Sequence, residues 1–419
     1  MLGRAIHLTV AAVLLLLGAR ANPNLEEVGQ QVRAYTRQVE FDYVEWTVDA
    51  IWVKLRQAAL GLPNYVEPVA QSDLVRDYVR LVAEIQYNES QHAILHAHPD
   101  QAAVASQIAE LGQALEQQYA RRANLAPLAE SVLQAQIAQV VAEFDLAGGG
   151  QPLPPLLYHS TPLPWALIVS PRGAIQQDAN ISLQTELTLD EHIAIEEAVS
   201  AGLDLSTLVV PVGGIGSYPT MVAQTSNLNW LAEVVAHEWI HNYLTWHPLG
   251  FLYGDTPELT TMNETTASIA GKEIGARVIE LYYPELVPPP PAPPPPATEE
   301  APPPPNDPPP FDFRAEMHET RITVDALLAE GQIEQAEDYM EERRLFLWEN
   351  GYTIRKLNQA YFAFYGSYAD VPVGPAGEDP VGEAVRALWA QSASLKEFLD
   401  YMDGLTSFAD LQALLASLP

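Results

Sequence analysis
No cysteine occurs anywhere in the chain. That excludes a disulfide framework, thiolate metal sites and a cysteine nucleophile. Basic residues are scarce: 21 Lys plus Arg stand against 54 Asp plus Glu, a formal charge of −33. A surface that acidic repels phosphate backbones and anionic lipid heads, so no nucleic-acid partner is expected. Long apolar runs are missing too. The run at Leu8–Ala19 falls short of the ~20 residues a bilayer span needs. Hydrophobic residues still make up 48% of the 419, which excludes wholesale disorder and provides for a sizeable core.

Arg4 precedes that apolar run, and Ala19-Arg20-Ala21 closes it with the small-x-small form of a cleavage site. Residues 1–21 therefore read as a signal peptide or membrane anchor, outside the fold. An exported chain without cysteine points to a bacterial envelope or exterior, and membrane contact is expected only through such an anchor. Proline is concentrated rather than scattered: 15 of the 35 prolines lie within 288–310. Such a tract is a solvated polyproline spacer with no core of its own.

The remainder divides by texture. Residues 22–150 read as a helical region, with Val32, Tyr35, Val39, Tyr43 and Trp46 at helical spacing. Gly148-Gly149-Gly150 ends it. Within 151–284, short strands are expected at 165–170 and 208–212, a flexible stretch at 213–217 and an edge at 218–222. Helices are expected over 190–201, 228–244 and 260–278. Residues 285–312 form the proline-rich disordered insertion. Residues 313–419 return to helix, at 314–350, 352–365, 380–391, 394–402 and 407–417, and complete the unit. The fold class expected is mainly α (α+β), with helical ends around a small sheet and two helices.

One segment carries chemistry: Glu233-Val-Val-Ala-His237-Glu238-Trp-Ile-His241-Asn242. Its H-E-x-x-H places two imidazoles at i and i+4, about 40° apart on one helix face, where they can bind one cation. Glu238 lies one residue round, beside the metal, where it can accept a proton from bound water. Roughly 0.02 chance matches are expected in a chain of this composition, so coincidence is a weak explanation. Two histidines leave a catalytic zinc one protein ligand short. Glu264, 23 positions after His241, lies near the start of a second helix that a short loop can fold back antiparallel. Glu273 is the alternative third ligand.

With Asn263-Glu264 following H-E-x-x-H, the segment resembles the gluzincin metallopeptidases, the group of thermolysin and the zinc aminopeptidases. It also resembles uncharacterised bacterial predicted aminopeptidases. The resemblance covers roughly 165–283. It implies His237, His241 and Glu264 as ligands of one zinc per chain, and Glu238 as general base for hydrolysis of a peptide or protein substrate. Two features depart from the family. No Gly-x-Met-Glu-Asn exopeptidase signature lies upstream, which leaves endo- and aminopeptidase both open. Ser268 stands where thermolysin-type helices carry an Asp, so support of a ligand histidine falls to Ser268 or to Glu233, Glu273 or Asp255.

A second electrophile is expected beside the metal, with His318, Tyr352 and Tyr361 as candidates. Residues 213–222 are a candidate strand for holding substrate main chain. The cluster His92, His96 and His98 reads as a solvated helix end, and His247 does not fit the metzincin spacing. The competing reading is a non-catalytic helical envelope or scaffold protein with a structural or vestigial metal site. A further one makes 24–146 and the proline tract an adhesion module that carries a peptidase.

Overall fold
The computed structural model describes residues 28–61, 65–96, 101–289, 311–352, 354–366 and 380–418. The signal or anchor at 1–21, His98 and residues 290–310 of the proline-rich insertion lie outside these.

The protein is mainly helical with a few small sheets, as its patterning predicts. The N-terminal helices are α1 (Val28–Thr36), α2 (Tyr43–Leu60), α3 (Pro68–His96) and α4 (Gln101–Glu143). Strands β1 (Ala147–Gly148), β2 (Gln151–Pro152), β3 (Tyr158–Ser160), β4 (Trp165–Pro171) and β5 (Ala179–Leu183) follow. After α5 (Leu189–Leu203) come β6 (Leu205–Val210), β7 (Gly214–Ile215) and β8 (Thr220–Val222). Then come α6 (Leu228–Leu244), the one-turn α7 (Pro248–Phe251) and α8 (Pro257–Tyr282). The C-terminal part holds α9 (Phe313–Ala329), α10 (Ile333–Glu349), α11 (Gln359–Tyr365), α12 (Pro380–Gln391), α13 (Leu395–Met402) and α14 (Phe408–Ser417).

The central sheet runs β5-β4-β6, antiparallel throughout. Its period-2 alternation fills two separate cores. Leu167, Val169, Ile181, Leu183 and Val209 face α1 and α5. Ala166, Ile168, Leu208 and Val210 face α9 to α11. The result is a three-layer α/β/α unit. A second sheet, β3-β8-β7, pairs β3 parallel and β7 antiparallel to β8, which leaves β7 as an open edge. The largest core surrounds α6 and α8, and draws in α4 (Val132, Ile137, Val141) and α12 to α14 (Val385, Phe398, Leu411). The N- and C-terminal helices thus both pack around the motif helices.

Helix α6 spans 228–244, as periodicity predicts, and Asn227 caps it through Trp230 N–H. Five other expectations are corrected. The 32–46 spacing is not one helix: α1 stops at Thr36, Glu40 bridges to Leu183, and Asp42 caps α2 by accepting from Val44 and Glu45 N–H. The helix expected over 190–201 runs over Leu189–Leu203, capped by Thr188 through a capping box with Glu191. The 314–350 helix breaks at Gly331, whose φ of +74° suits a residue without Cβ. The expected 352–365 helix shrinks to 359–365 behind the cap Asn358, and the 213–217 stretch contributes strand β7.

Candidate metal centre
Two helices position the centre. On α6, His237, Glu238 and His241 share a face; on α8, Glu264 faces them. The helices lie close because α8 presents Gly271 and Gly275. A Cβ at Gly271 would stand 2.9 Å from the Glu233 carbonyl oxygen and 3.1 Å from His237 Cα, backbone atoms that cannot step aside.

His237 Nε2 and His241 Nε2 are 3.1 Å apart, and each is 3.5 Å from Glu264 Oε2. No other set of three His, Asp or Glu groups with metal-ligating geometry is found among the described residues. Each ligand has a second polar atom held elsewhere. His241 Nδ1 lies 2.8 Å from Asn263 Oδ1, so Nδ1–H donates there and Nε2 is left as the lone-pair nitrogen. The Asn263 amide in turn donates to Leu249 C=O at 3.3 Å. His237 Nδ1 lies 3.4 Å from Ser268 Oγ. Glu264 Oε1 accepts from Tyr253 O–H at 2.7 Å, while Oε2, fully buried, has no hydrogen-bond partner.

Burial alone opposes charge on His241, but the Glu264 carboxylate beside it outweighs this and pushes its pKa up to about 9. The same pair works in reverse on Glu264. Burial would raise it, yet His241 and His237, which face its Oε2, hold it well below the usual carboxylate range. Glu238 moves the other way: burial raises its pKa, the two histidines only partly oppose this, and Glu264 adds to it.

The centre opens into a cleft of about 740 Å³. Edge strand β7 forms one wall. The Ala223 N–H donates to Gly213 C=O, so the antiparallel alternation turns the Gly214 N–H and C=O away from β8, onto the free edge. Gly214 also makes room for the base: a Cβ there would stand 2.5 Å from Glu238 Oε1. Tyr43, Trp165, Phe251, Tyr253 and Phe364 supply aromatic wall.

Glu264, not Glu273, meets the histidines; Glu273 is exposed on the far side of α8. The groups that meet the Nδ1 atoms of the two histidines are Asn263 and Ser268. The three electrophile candidates do not line the cleft. Tyr352 stacks on Phe313 at 4.4 Å, Tyr361 is buried against Tyr365, and His318 sits on α9. They belong to the layer covering β4 and β6, from which, among the described residues, only Phe364 reaches the cleft. The tyrosines that do line it are Tyr253, in the loop after α7, and Tyr43, bonded to Ser182 Oγ at 2.7 Å. Tyr253 lies in a non-periodic loop and offered no sequence signal. Tyr43 carried a misleading one, its helical spacing. His247 stands apart from the centre, paired with Asp403 at 2.9 Å.

Comparisons with protein-family models, with curated proteins and with solved structures found no match to this chain.

Proposed function
We propose that the protein is a zinc-dependent peptidase that hydrolyses peptide bonds of a peptide or protein substrate in the β7 cleft. One observation carries this reading. Three ligand side chains are each tethered through one atom and turn the other toward a common point, beside a buried carboxylate and an open cleft. The donor set fits zinc: tetrahedral N/O ligands at about 2.0–2.1 Å from an ion stand roughly 3.3 Å from one another, against 3.1, 3.5 and 3.5 Å here. The orphaned Glu264 Oε2 is the atom such an ion would satisfy.

Zinc held there supplies a water acidified toward pKa ~7 and polarises the scissile carbonyl. The chain's own groups do the rest. Glu238, its pKa raised by burial, takes a proton on its carboxylate and passes it to the leaving amine. The Gly214 N–H and C=O offer two main-chain hydrogen bonds, which align an extended substrate as an added strand. Tyr253 O–H fixes the orientation of Glu264 and lies within the cleft. A non-catalytic site has no use for a buried carboxylate aimed beside the ligands, and a structural zinc site is closed by a fourth ligand. The reading of residues 1–21 as a signal peptide or membrane anchor supports an envelope or secreted location for this activity.

The test joins elemental analysis to peptide-library hydrolysis on the full chain. We expect about one zinc per chain, lost in Glu264→Ala and kept in Glu238→Gln, with hydrolysis by the wild type alone. A wild type that takes up no zinc after reconstitution would sink the proposal. So would a zinc-loaded Glu238→Gln variant that still cleaves.

A further inference from the structure
The cleft runs past the metal centre on both sides. From Gly213 to Ser217 the chain travels along α6 in the helix's own direction. A Cβ at Gly213 would stand 2.9 Å from the Trp230 ring, one at Gly214 would meet Glu238, and one at Gly216 would stand 3.1 Å from His241 Cβ. Ser217 C=O then accepts from the Asn242 side-chain amide at 3.2 Å. Gly214 and Gly216 thus face the middle of the cleft, opposite the base and a ligand histidine. Val212 and Ser217 line it to either side of them. Five steps of chain separate these two, at most roughly 17 Å of extended backbone.

Each side has its own wall. Val212 packs with Ala166 and Phe364, so its side of the cleft is built by β4, β5 and α11. Trp165, and Ser182 in register with Ala166, belong to the same wall. Ser217 lies by the C-terminal end of α6, so its side is built by Thr245 and by Gly250 and Phe251 of α7. Both walls offer aromatic or neutral polar groups. Among the described lining residues, the charged or titratable acid and base groups are His237, Glu238, His241 and Glu264, all in the centre itself. Away from the centre, the cleft is a neutral strip in a chain of net charge −33.

An enzyme that trims chain ends must hold a terminal ammonium or carboxylate, and a charge taken out of water needs an opposite charge to receive it. Here the carboxylates are committed: Glu264 to the ligand set, Glu238 to the proton. On the basis of the peptidase function proposed above, we propose that the protein is an endopeptidase. It takes the interior of an extended polypeptide, about six residues of which lie in the cleft, with uncharged side chains on both sides of the bond that is cut. Strand addition at Gly214 suits such a substrate, because main-chain N–H and C=O groups are the same in every internal segment and require no terminus. Trp165 and Phe364 on one side, and Phe251 on the other, favour apolar side chains there.

The test gives the zinc-loaded full chain apolar-centred decapeptides with acetylated and amidated ends, beside the same peptides with free ends, and identifies the products by mass. Blocked peptides should be cut internally, with kcat/KM within about threefold of the free-ended ones. Extending short blocked peptides stepwise, to about three residues on each side of the cut bond, should raise kcat/KM at least about tenfold on either side. Phe251→Ala, at a position 67% exposed, should remove most of that gain on one side and leave it on the other. Release of single residues from free ends, with blocked peptides intact, would overturn the endopeptidase assignment and leave the peptidase function standing. So would a wild-type gain confined to one side, or a Phe251→Ala variant that keeps both gains. Zinc-loaded protein that cuts none of the peptides would overturn the peptidase function itself, and the endopeptidase assignment with it.

Discussion

Replacing Glu264 by Gln separates the two things this carboxylate does: it offers Oε2 to a metal, and it holds a proton on His241. The ion and the proton compete. A His241 pKa of about 9 means that at pH 7 metal must displace a proton bound about 100-fold too well. Wild-type affinity should therefore rise about tenfold per pH unit from pH 6.5 to 9 and then level off. In Glu264→Gln one of three protein ligands loses its charge. A third of the ~12 kcal/mol typical of such sites is roughly 4 kcal/mol, or about 10³-fold. His241 also returns toward ~6.5, which removes nearly all of the proton competition at pH 7. The variant should thus bind zinc about 10³-fold more weakly at pH 9 but only about tenfold more weakly at pH 7. Its affinity should be almost flat with pH above 7. Competition against a chromophoric chelator from pH 6.5 to 9.5 reads both slopes. A variant that keeps the wild-type slope would refute the coupling; one that matches wild-type affinity at pH 9 would refute Glu264 as a ligand.

Other outcomes follow from the same geometry. Tyr253→Phe frees Glu264 Oε1 from its 2.7 Å donor and should lower zinc affinity about 10- to 100-fold, read by the same competition. Gly214→Ala drives a methyl into the Glu238 carboxylate, the mobile end of a side chain. It should keep the fold and the zinc while kcat falls at least tenfold; unchanged turnover would remove Glu238 from the reaction. Lys54→Met takes from Glu130, buried in the contact between α2 and α4, its lysine partner and leaves it His159 and the Ser160 N–H. It should cost about 1.5–3 kcal/mol in urea unfolding at pH 7. Burial opposes charge on Glu130, but Lys54 and His159 outweigh it and hold its pKa at about 2. That stabilisation is present above pH ~4.5 and is lost as pH falls toward 2, so the two proteins should converge on acidification.

Much of the fold was legible because it is local. Helix α6 fell at 228–244 because apolar periodicity and the cap Asn227 agree there. Strand β4 was legible as a continuous apolar run, which suits a strand covered on both faces. The breaks were less visible. Apolar spacing runs on through residues 37–42, where pairing of Glu40 with Leu183 pulls the chain out of helix, and through Gly331, where α9 and α10 turn back on each other. In both places a distant contact overrides a local preference.

The centre divides along the same line. The sequence by itself determined His237, Glu238 and His241, because 3.6 residues per turn places i and i+4 on one face whatever surrounds them. It also singled out Glu264, as the carboxylate that a short reversal returns to that face. Only the tertiary structure decided that Glu264 rather than Glu273 meets the imidazoles, since Gly271 and Gly275 set which side of α8 lies on α6. It alone brought Tyr253, Asn263 and Ser268 to the second atoms of the ligands, and the Gly214 edge to Glu238. Those contacts join groups up to 31 residues apart (His237 and Ser268) through packing of whole elements, and no periodicity along the chain encodes them.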